Sequence, residues 1–166
     1  MDIEFDITLT PKDMYRFNMY QTYTGFQGWF SVIISVFLFV VAGLTFGEVT
    51  GTRTLLYVLL GILFLIYMPV TLYLRSKHNI AVSEVLKHPL HFTVGEKGFT
   101  VSQKEESAEL PWEQIYKMVG TKSNVLVYSS RINAYIIPRA QLGDKYADLA
   151  ELGKEKLPKY RIKMKV

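Results

Sequence analysis

The chain opens on a strict alternation: Ile3, Phe5, Ile7 and Leu9 are apolar, while Asp2, Glu4, Asp6 and Thr8 are polar. A period of two predicts a β-strand with one buried face over residues 3–9. Thr10, Pro11 and Asp13 then predict a helix start. Thr10 is the N-cap, Pro11 suits the first helical position, and Asp13 reaches back as a short capping-box acid. The helix carries Met14, Phe17, Asn18 and Gln21 at helical spacing toward Gly25 and Gly28. Its aromatics (Tyr15, Phe17, Tyr20, Tyr23, Phe26) suit either an approach along a membrane surface or packing on a soluble domain.

Two apolar stretches without charge follow, residues 29–46 and 55–74. As helices they would be about 27 and 30 Å long, close to the hydrocarbon thickness of a bilayer. Residues 47–54 allow only a tight connection, so the pattern predicts an antiparallel transmembrane hairpin with both flanks on one side. The first stretch starts too late, and after too acidic a segment, for a cleaved signal peptide. Small residues mark candidate helix-packing positions: Ser31 with Ser35, Gly43 with Gly47, and Gly61. Packing within the hairpin and contact with another copy or partner are both open. Pro69 should kink the second helix. Residues 75–89 read as a helical connector that stops near Lys87, ahead of Pro89.

From Leu90 the pattern changes to short strands: LHFTV, FTVSQ, AEL, the WEQIYKMVGT stretch, VLVYS and AYIIP. A last helix, DKYADLAELGKEKL, places Tyr146, Leu149, Ala150 and Leu157 near one face, with Gly153 weakening its middle. Six short strands and a C-terminal helix predict a small, strongly bent antiparallel sheet or barrel. Trp112, with Ile115 on the same side, reads as a core residue sealing one end of that sheet rather than a surface recognition aromatic. The domain division is 1–28, 29–74, 75–89 and 90–166.

The run HFTVGEKGFTVSQKEESAELPWEQIYKMVGTKSNVLVYSSRINAYIIPRAQL resembles the C-terminal domain of YcxB-like bacterial membrane proteins. The shared features are a turn-glycine hairpin, Trp112 with Ile115, a VLVY strand and an I-P-R close. The LTPKDMYRFN segment and the two apolar stretches also match that family's layout. The resemblance implies a pleckstrin-homology-like domain, a bacterial plasma membrane, and no established biochemical activity. A pleckstrin-like domain has seven strands and only six follow the hairpin. The strand at residues 3–9 is therefore expected to pair with the C-terminal sheet, making the hairpin an insertion. The fold class is an α+β membrane protein: a two-helix transmembrane hairpin plus a small antiparallel sheet with a C-terminal helix.

Charge and composition refine this picture. The 166 residues carry a net charge of +4 and no cysteine, which excludes disulfides, thiolate metal sites and cysteine nucleophiles. Lys12 and Arg16 before the hairpin, and Arg75, Lys77 and Lys87 after it, outnumber Arg53 in the connection. The positive-inside rule then places both termini in the cytoplasm. Trp29, Tyr73, Arg75 and Lys77 are candidate interfacial anchors.

Candidate chemistry is sparse. His78, His88 and His91 lack a metal-ligand spacing, and Glu105, Glu106 and Glu109 read as a solvated acidic bend. The glycines of VGEKGF form a turn between strands rather than a phosphate cradle. With no ionisable residue inside the apolar stretches, a proton or ion pathway has nothing to work with. The reading is therefore no catalytic residue, no metal ligand, no cofactor and no enzymatic activity.

In the tail, Lys159, Arg161, Lys163 and Lys165 alternate with Tyr160, Ile162, Met164 and Val166. That pattern fits an edge strand of the domain's own sheet, a contact with anionic headgroups, or a strand that binds a partner. The expected function is a membrane-anchored, non-enzymatic interaction protein that binds a protein partner or anionic headgroups at the cytoplasmic face. The alternative is a protective (immunity) factor or accessory subunit acting through its hairpin. Expected partners are the lipid bilayer and a membrane protein or second copy, not nucleic acid.

Overall fold

The pairing of the first strand decides how the chain is divided. The computed structural model describes residues 2–164, apart from the side chain of Gln27. In it β1 (Ile3–Ile7) lies antiparallel to β2 (Leu90–Gly95), with Ile3 opposite Val94, Phe5 opposite Phe92 and Ile7 opposite Leu90. The pairing expected from the strand count is thus present, and all chain between β1 and β2 is an insertion into one sheet. The chain separates into a sheet unit, comprising the residues up to Phe17 and those from Lys77 onward, and a helical unit, Asn18–Ser76.

In the sheet unit, β1 presents Phe5 and Ile7 to the core, the face given by its alternation, and it ends at Ile7, short of the expected residue 9, with Leu9 buried just beyond it. Phe5 stacks on Phe92 at 5.4 Å. The next element, α1 (Pro11–Thr24), starts as its residues dictate. Thr10 N–H donates to Asp13 Oδ2 at 3.2 Å and Asp13 N–H to Thr10 Oγ1 at 3.3 Å, a reciprocal capping box.

After β2 come β3 (Gly98–Gln103) and β4 (Glu106–Pro111), giving a sheet of order β1-β2-β3-β4. The second sheet is built from β5 (Lys117–Gly120), β6 (Asn124–Tyr128), β7 (Ala134–Pro138) and β8 (Ile162–Lys163), in the order β7-β6-β5-β8. The single bent antiparallel sheet or barrel of the sequence reading is corrected to two four-stranded sheets, and β8 joins β5 in parallel. The cause lies between β4 and β5, where Trp112–Gln114 form a 3₁₀ turn that interrupts the ladder. Trp112 turns inward there, its indole N–H donating to Gly95 O at 2.9 Å and its ring edge-on to Phe99 at 5.3 Å. It is the core residue its context predicted.

Toward the C-terminus this unit carries the short α5 (Arg139–Leu142) and α6 (Lys145–Lys156). The inner face of α6 is Tyr146, Leu149, Ala150 and Gly153. A Cβ at Gly153 would stand 2.8 Å from Ile162 Cδ1, so this glycine lets the helix close on β8 as well as lowering helix propensity.

The helical unit holds the end of α1, then α2 (Phe26–Leu44) and most of α3 (Gly51–Val82). Both apolar helices begin before the charge-free stretches do, and α2 ends sooner, at Leu44. Thr45 Oγ1 donates to Val41 O at 2.7 Å and Gly47 adopts φ +88°, which closes that helix. Helix α3 runs through Pro69. It stops at Val82, because Ser83 leaves helical geometry and its side chain accepts from Leu86 N–H, capping a separate turn, α4 (Glu84–Lys87). The continuous connector expected over 75–89 is corrected accordingly. Among the described residues, Gly51–Val82 is long and apolar enough by itself to cross a bilayer, whereas α1 and α2 qualify only when taken together across their break.

Candidate functional site

The sheet unit carries a mainly apolar cleft of about 400 Å³. Its walls come from separated segments of the chain, with Leu9 and Met14 meeting Leu86, Phe92, Val101 and Ile136. Alternation on β2 and β3 aims Phe92 and Val101 inward, and α4 brings Leu86. Gln103 fixes the rim: its amide donates to Val85 O at 2.8 Å, His88 O at 3.2 Å and Pro89 O at 3.3 Å. Glu106 is the one carboxylate on the lining. Such a surface offers apolar contact. Nothing local in the sequence announces it.

A second groove, between β1 and α6, is acidic. Asp2, Glu4, Glu96, Asp148, Glu151 and Glu155 line it. Lys145 Nζ donates to Glu4 O, and Lys156 bonds both Glu96 and Glu155. The Lys156 hydrogen bond holds the Glu96 carboxyl below its ordinary range, and Glu96, then Glu155, raise the Lys156 ammonium. Among the described residues no group of three or more His, Asp and Glu side chains is placed to hold a metal ion. On the face of β1–β2, His91 Nδ1 lies 2.8 Å from Asp6 Oδ1 and its Nε2 3.5 Å from Thr93 Oγ1. This chain of contacts sits on the outer face of the strand pair, with the last link too long for proton transfer.

The tail residues find a local use. Met118 N–H donates to Arg161 O at 2.7 Å, Ile162 stands opposite Met118, and Lys163 stands opposite Val119. Met164 is buried and Lys159 and Lys163 are exposed. Over residues 161–163, then, the structure has the own-sheet arrangement of the three considered; Lys165 lies outside the described residues.

The candidate packing positions divide. Ser31 Oγ donates to Phe64 O at 2.5 Å and Ser35 Oγ to Gly61 O at 2.6 Å, tying α2 to α3. Gly61 sits under Phe39, whose ring a Cβ would meet at 2.8 Å. Gly43 and Gly47 do not join this contact: a Cβ at either would meet nothing within 4 Å, and Gly47 lies beyond the end of α2. Their spacing suggested a helix face, but the helix stops before completing it. Gly61→Leu should therefore weaken α2–α3 packing by about 1–3 kcal/mol, while Gly43→Leu leaves it unchanged. Thermal loss of helix signal in detergent checks this, and equal shifts for the two variants would contradict it. Of the candidate anchors, Trp29 donates from its indole to Tyr23 O at 3.1 Å, and Trp29, Tyr73, Arg75 and Lys77 are all exposed.

Fold and surfaces together define an α+β protein in which an apolar helical unit interrupts a two-sheet unit. The YcxB-like protein family model matches residues 94–152, from the end of β2 into α6. The family resemblance read from the sequence holds over that segment, about a third of the chain. No curated protein and no solved structure matches the chain.

Proposed function

We propose that the chain is a membrane-anchored, non-enzymatic interaction protein. Its helical unit crosses the bilayer twice, and its sheet unit, of pleckstrin-homology-like design, binds a protein partner or anionic headgroups at the cytoplasmic face. One observation carries this reading. β1 and β2 share a ladder, so both ends of the inserted unit lie on the same side of any bilayer, and the number of crossings is even. Helix α3 exposes Leu55, Leu59, Leu63 and Ile66 along its length, a surface that calls for lipid. One crossing by α3 requires a second, and α2 is the apolar segment available. The pleckstrin-like assignment is supported by the antiparallel strands β1–β4 and β5–β7 followed by α6, to which β8 adds an eighth, parallel strand at the edge of the second sheet. Orientation rests on Lys12, Arg16, Arg75, Lys77 and Lys87 against Arg53. For binding, the apolar cleft and the charged surfaces offer contact without an acid–base pair.

The native absence of cysteine makes the test direct. Val49→Cys, between α2 and α3, should react with an impermeant maleimide in intact cells. Lys12→Cys and Lys122→Cys should react only after lysis. Equal labelling of positions 49 and 122 in intact cells would overturn the two-pass arrangement.

A further inference from the structure

Strand register gathers several segments at one end of the second sheet. Lys117, the first residue of β5, stands opposite Tyr128, the last of β6, and Tyr116 N–H donates to Tyr128 O at 2.8 Å. Ala134 opens β7 opposite Tyr128 as well, so the turn at residues 129–133 closes over the same end. Because β8 runs parallel to β5, the residues just before it, Tyr160 and Arg161, arrive there too. Four strands at a spacing of about 4.8 Å make this end about 14 Å wide.

Its composition is one-sided. Lys117, Arg131, Lys159 and Arg161 supply positive charge, and Tyr116, Ile132 and Tyr160 are 45%, 67% and 75% exposed. Residues 115–119, 127–135 and 158–163 contain no Asp or Glu. The nearest acid in sequence, Glu113, lines a different groove with Lys97 and Glu109. A single exposed isoleucine is ordinary. Three large apolar or aromatic side chains set among four cations are not. Lys117 lies over the Tyr128 ring and Arg161 over the Tyr160 ring, but among the described residues none of the four forms an ion pair with a carboxylate, so their charges repel one another. A protein-binding core would be depleted of lysine. Tyrosine, an aliphatic wedge and long basic side chains are instead the composition of a surface that meets lipid headgroups.

The path of α1 points to the same end. Asp13 O accepts from Asn124 Nδ2 at 3.3 Å, and the Phe17 ring is 6.3 Å from that of Tyr128. The helix therefore advances along β6 from Asn124 toward Tyr128, and the chain leaves the sheet unit beside this patch.

We infer that this end of the second sheet, built by Tyr116, Lys117, Arg131, Ile132, Tyr160 and Arg161 with Lys159 beside them, rests on anionic lipid headgroups. The inference deepens the membrane-anchored reading above and depends on it. The cations meet lipid phosphates while Ile132 and the two tyrosines enter the headgroup layer. The acidic groove between β1 and α6 is kept off the surface by its charge.

The test uses the full-length chain in phosphatidylcholine vesicles with and without phosphatidylglycerol. An environment-sensitive dye is placed on Ile132→Cys or, as a control in the acidic groove, on Glu151→Cys. In anionic vesicles the dye at 132 should be quenched by shallow brominated lipid, and the dye at 151 should stay in water. Each of Arg131→Gln and Lys159→Gln should lower the docked-to-free ratio about fivefold, and high salt should act in the same direction. Unchanged thermal unfolding certifies the variants, which alter exposed side chains only. A chain resistant to carbonate extraction whose position 132 stays in water overturns this inference and leaves the anchor standing. Extraction by carbonate overturns the anchored reading itself. Shielding at 132 that is equal in neutral vesicles and indifferent to both substitutions assigns the surface to protein contact, and so also overturns lipid docking.

Discussion

Deleting residues 3–9 is expected to unfold the sheet unit, although more than eighty residues separate that strand from its partner β2. Phe5, Ile7 and Leu9 are all buried, and each is worth about 1.5–3 kcal/mol of transfer free energy. Their sum, about 5–9 kcal/mol, is comparable to the whole stability of a domain of this size. The deletion also strips the ladder partners from one edge of β2 and exposes Phe92. A fragment beginning at Leu90 should accordingly show collapsed amide dispersion and no cooperative melting transition. Adding a peptide of residues 2–10 should restore both. In the full chain, Ile7→Ala should cost about 2–4 kcal/mol and Phe5→Ala about 3–5 kcal/mol. Trp112 fluorescence in a Trp29→Phe background reads the sheet unit without interference from the helical one. A cooperative, well-dispersed fragment 90–166 would show that β1 is an ornament of the sheet, and the insertion view of the helical unit would fall with it.

What the sequence discloses and what it hides follow the range of the interactions concerned. The first strand was legible because alternation is a local record of a buried face, although it ends at Ile7 rather than at residue 9. The α1 start was legible because Thr10 and Asp13 satisfy each other within one turn. The union of β1 with β2 left no local mark and came only from counting strands against a family's expected seven. The division into two sheets hinges on where the Trp112 indole finds an acceptor, and Gly95 O is seventeen residues away. Ser83 hid a helix break because periodicity does not register competition between a side chain and the backbone. Gly43 and Gly47 take no part in the α2–α3 contact because a four-residue spacing means a shared face only while the helix continues, and α2 ends at Leu44. The apolar cleft and the basic end of the second sheet are assembled from segments far apart in the chain. The second becomes visible only once β8 is known to run parallel to β5.

The turn between β2 and β3 offers the sharpest separation of two superficially equivalent residues. Gly95 and Gly98 face each other across that turn. A Cβ at Gly95 would come within 2.3 Å of Asp2 Oδ1, the movable tip of a side chain on β1's approach. A Cβ at Gly98 would come within 2.3 Å of Leu110 O and 2.7 Å of Pro111 Cα, and Gly98 holds φ +142°. Those are backbone atoms of β4, and Pro111 leads directly into Trp112. Gly98→Ala must therefore strain its own backbone, at about 1–3 kcal/mol. It must also push back the end of β4, loosening the Trp112 hydrogen bond to Gly95 O and its packing on Phe99. The expected total is about 3 kcal/mol or more, which for a unit of this size lowers Tm by roughly 12 °C or more. Gly95→Ala, by contrast, should cost under about 1 kcal/mol, because Asp2 can swing into solvent. Red-shifted Trp112 emission in the Gly98 variant at a temperature where the Gly95 variant is still native would mark the loosened corner. Similar melting temperatures for the two would mean that β4 yields more easily than its backbone contacts indicate, and Trp112 would then not be what holds the two sheets at their corner.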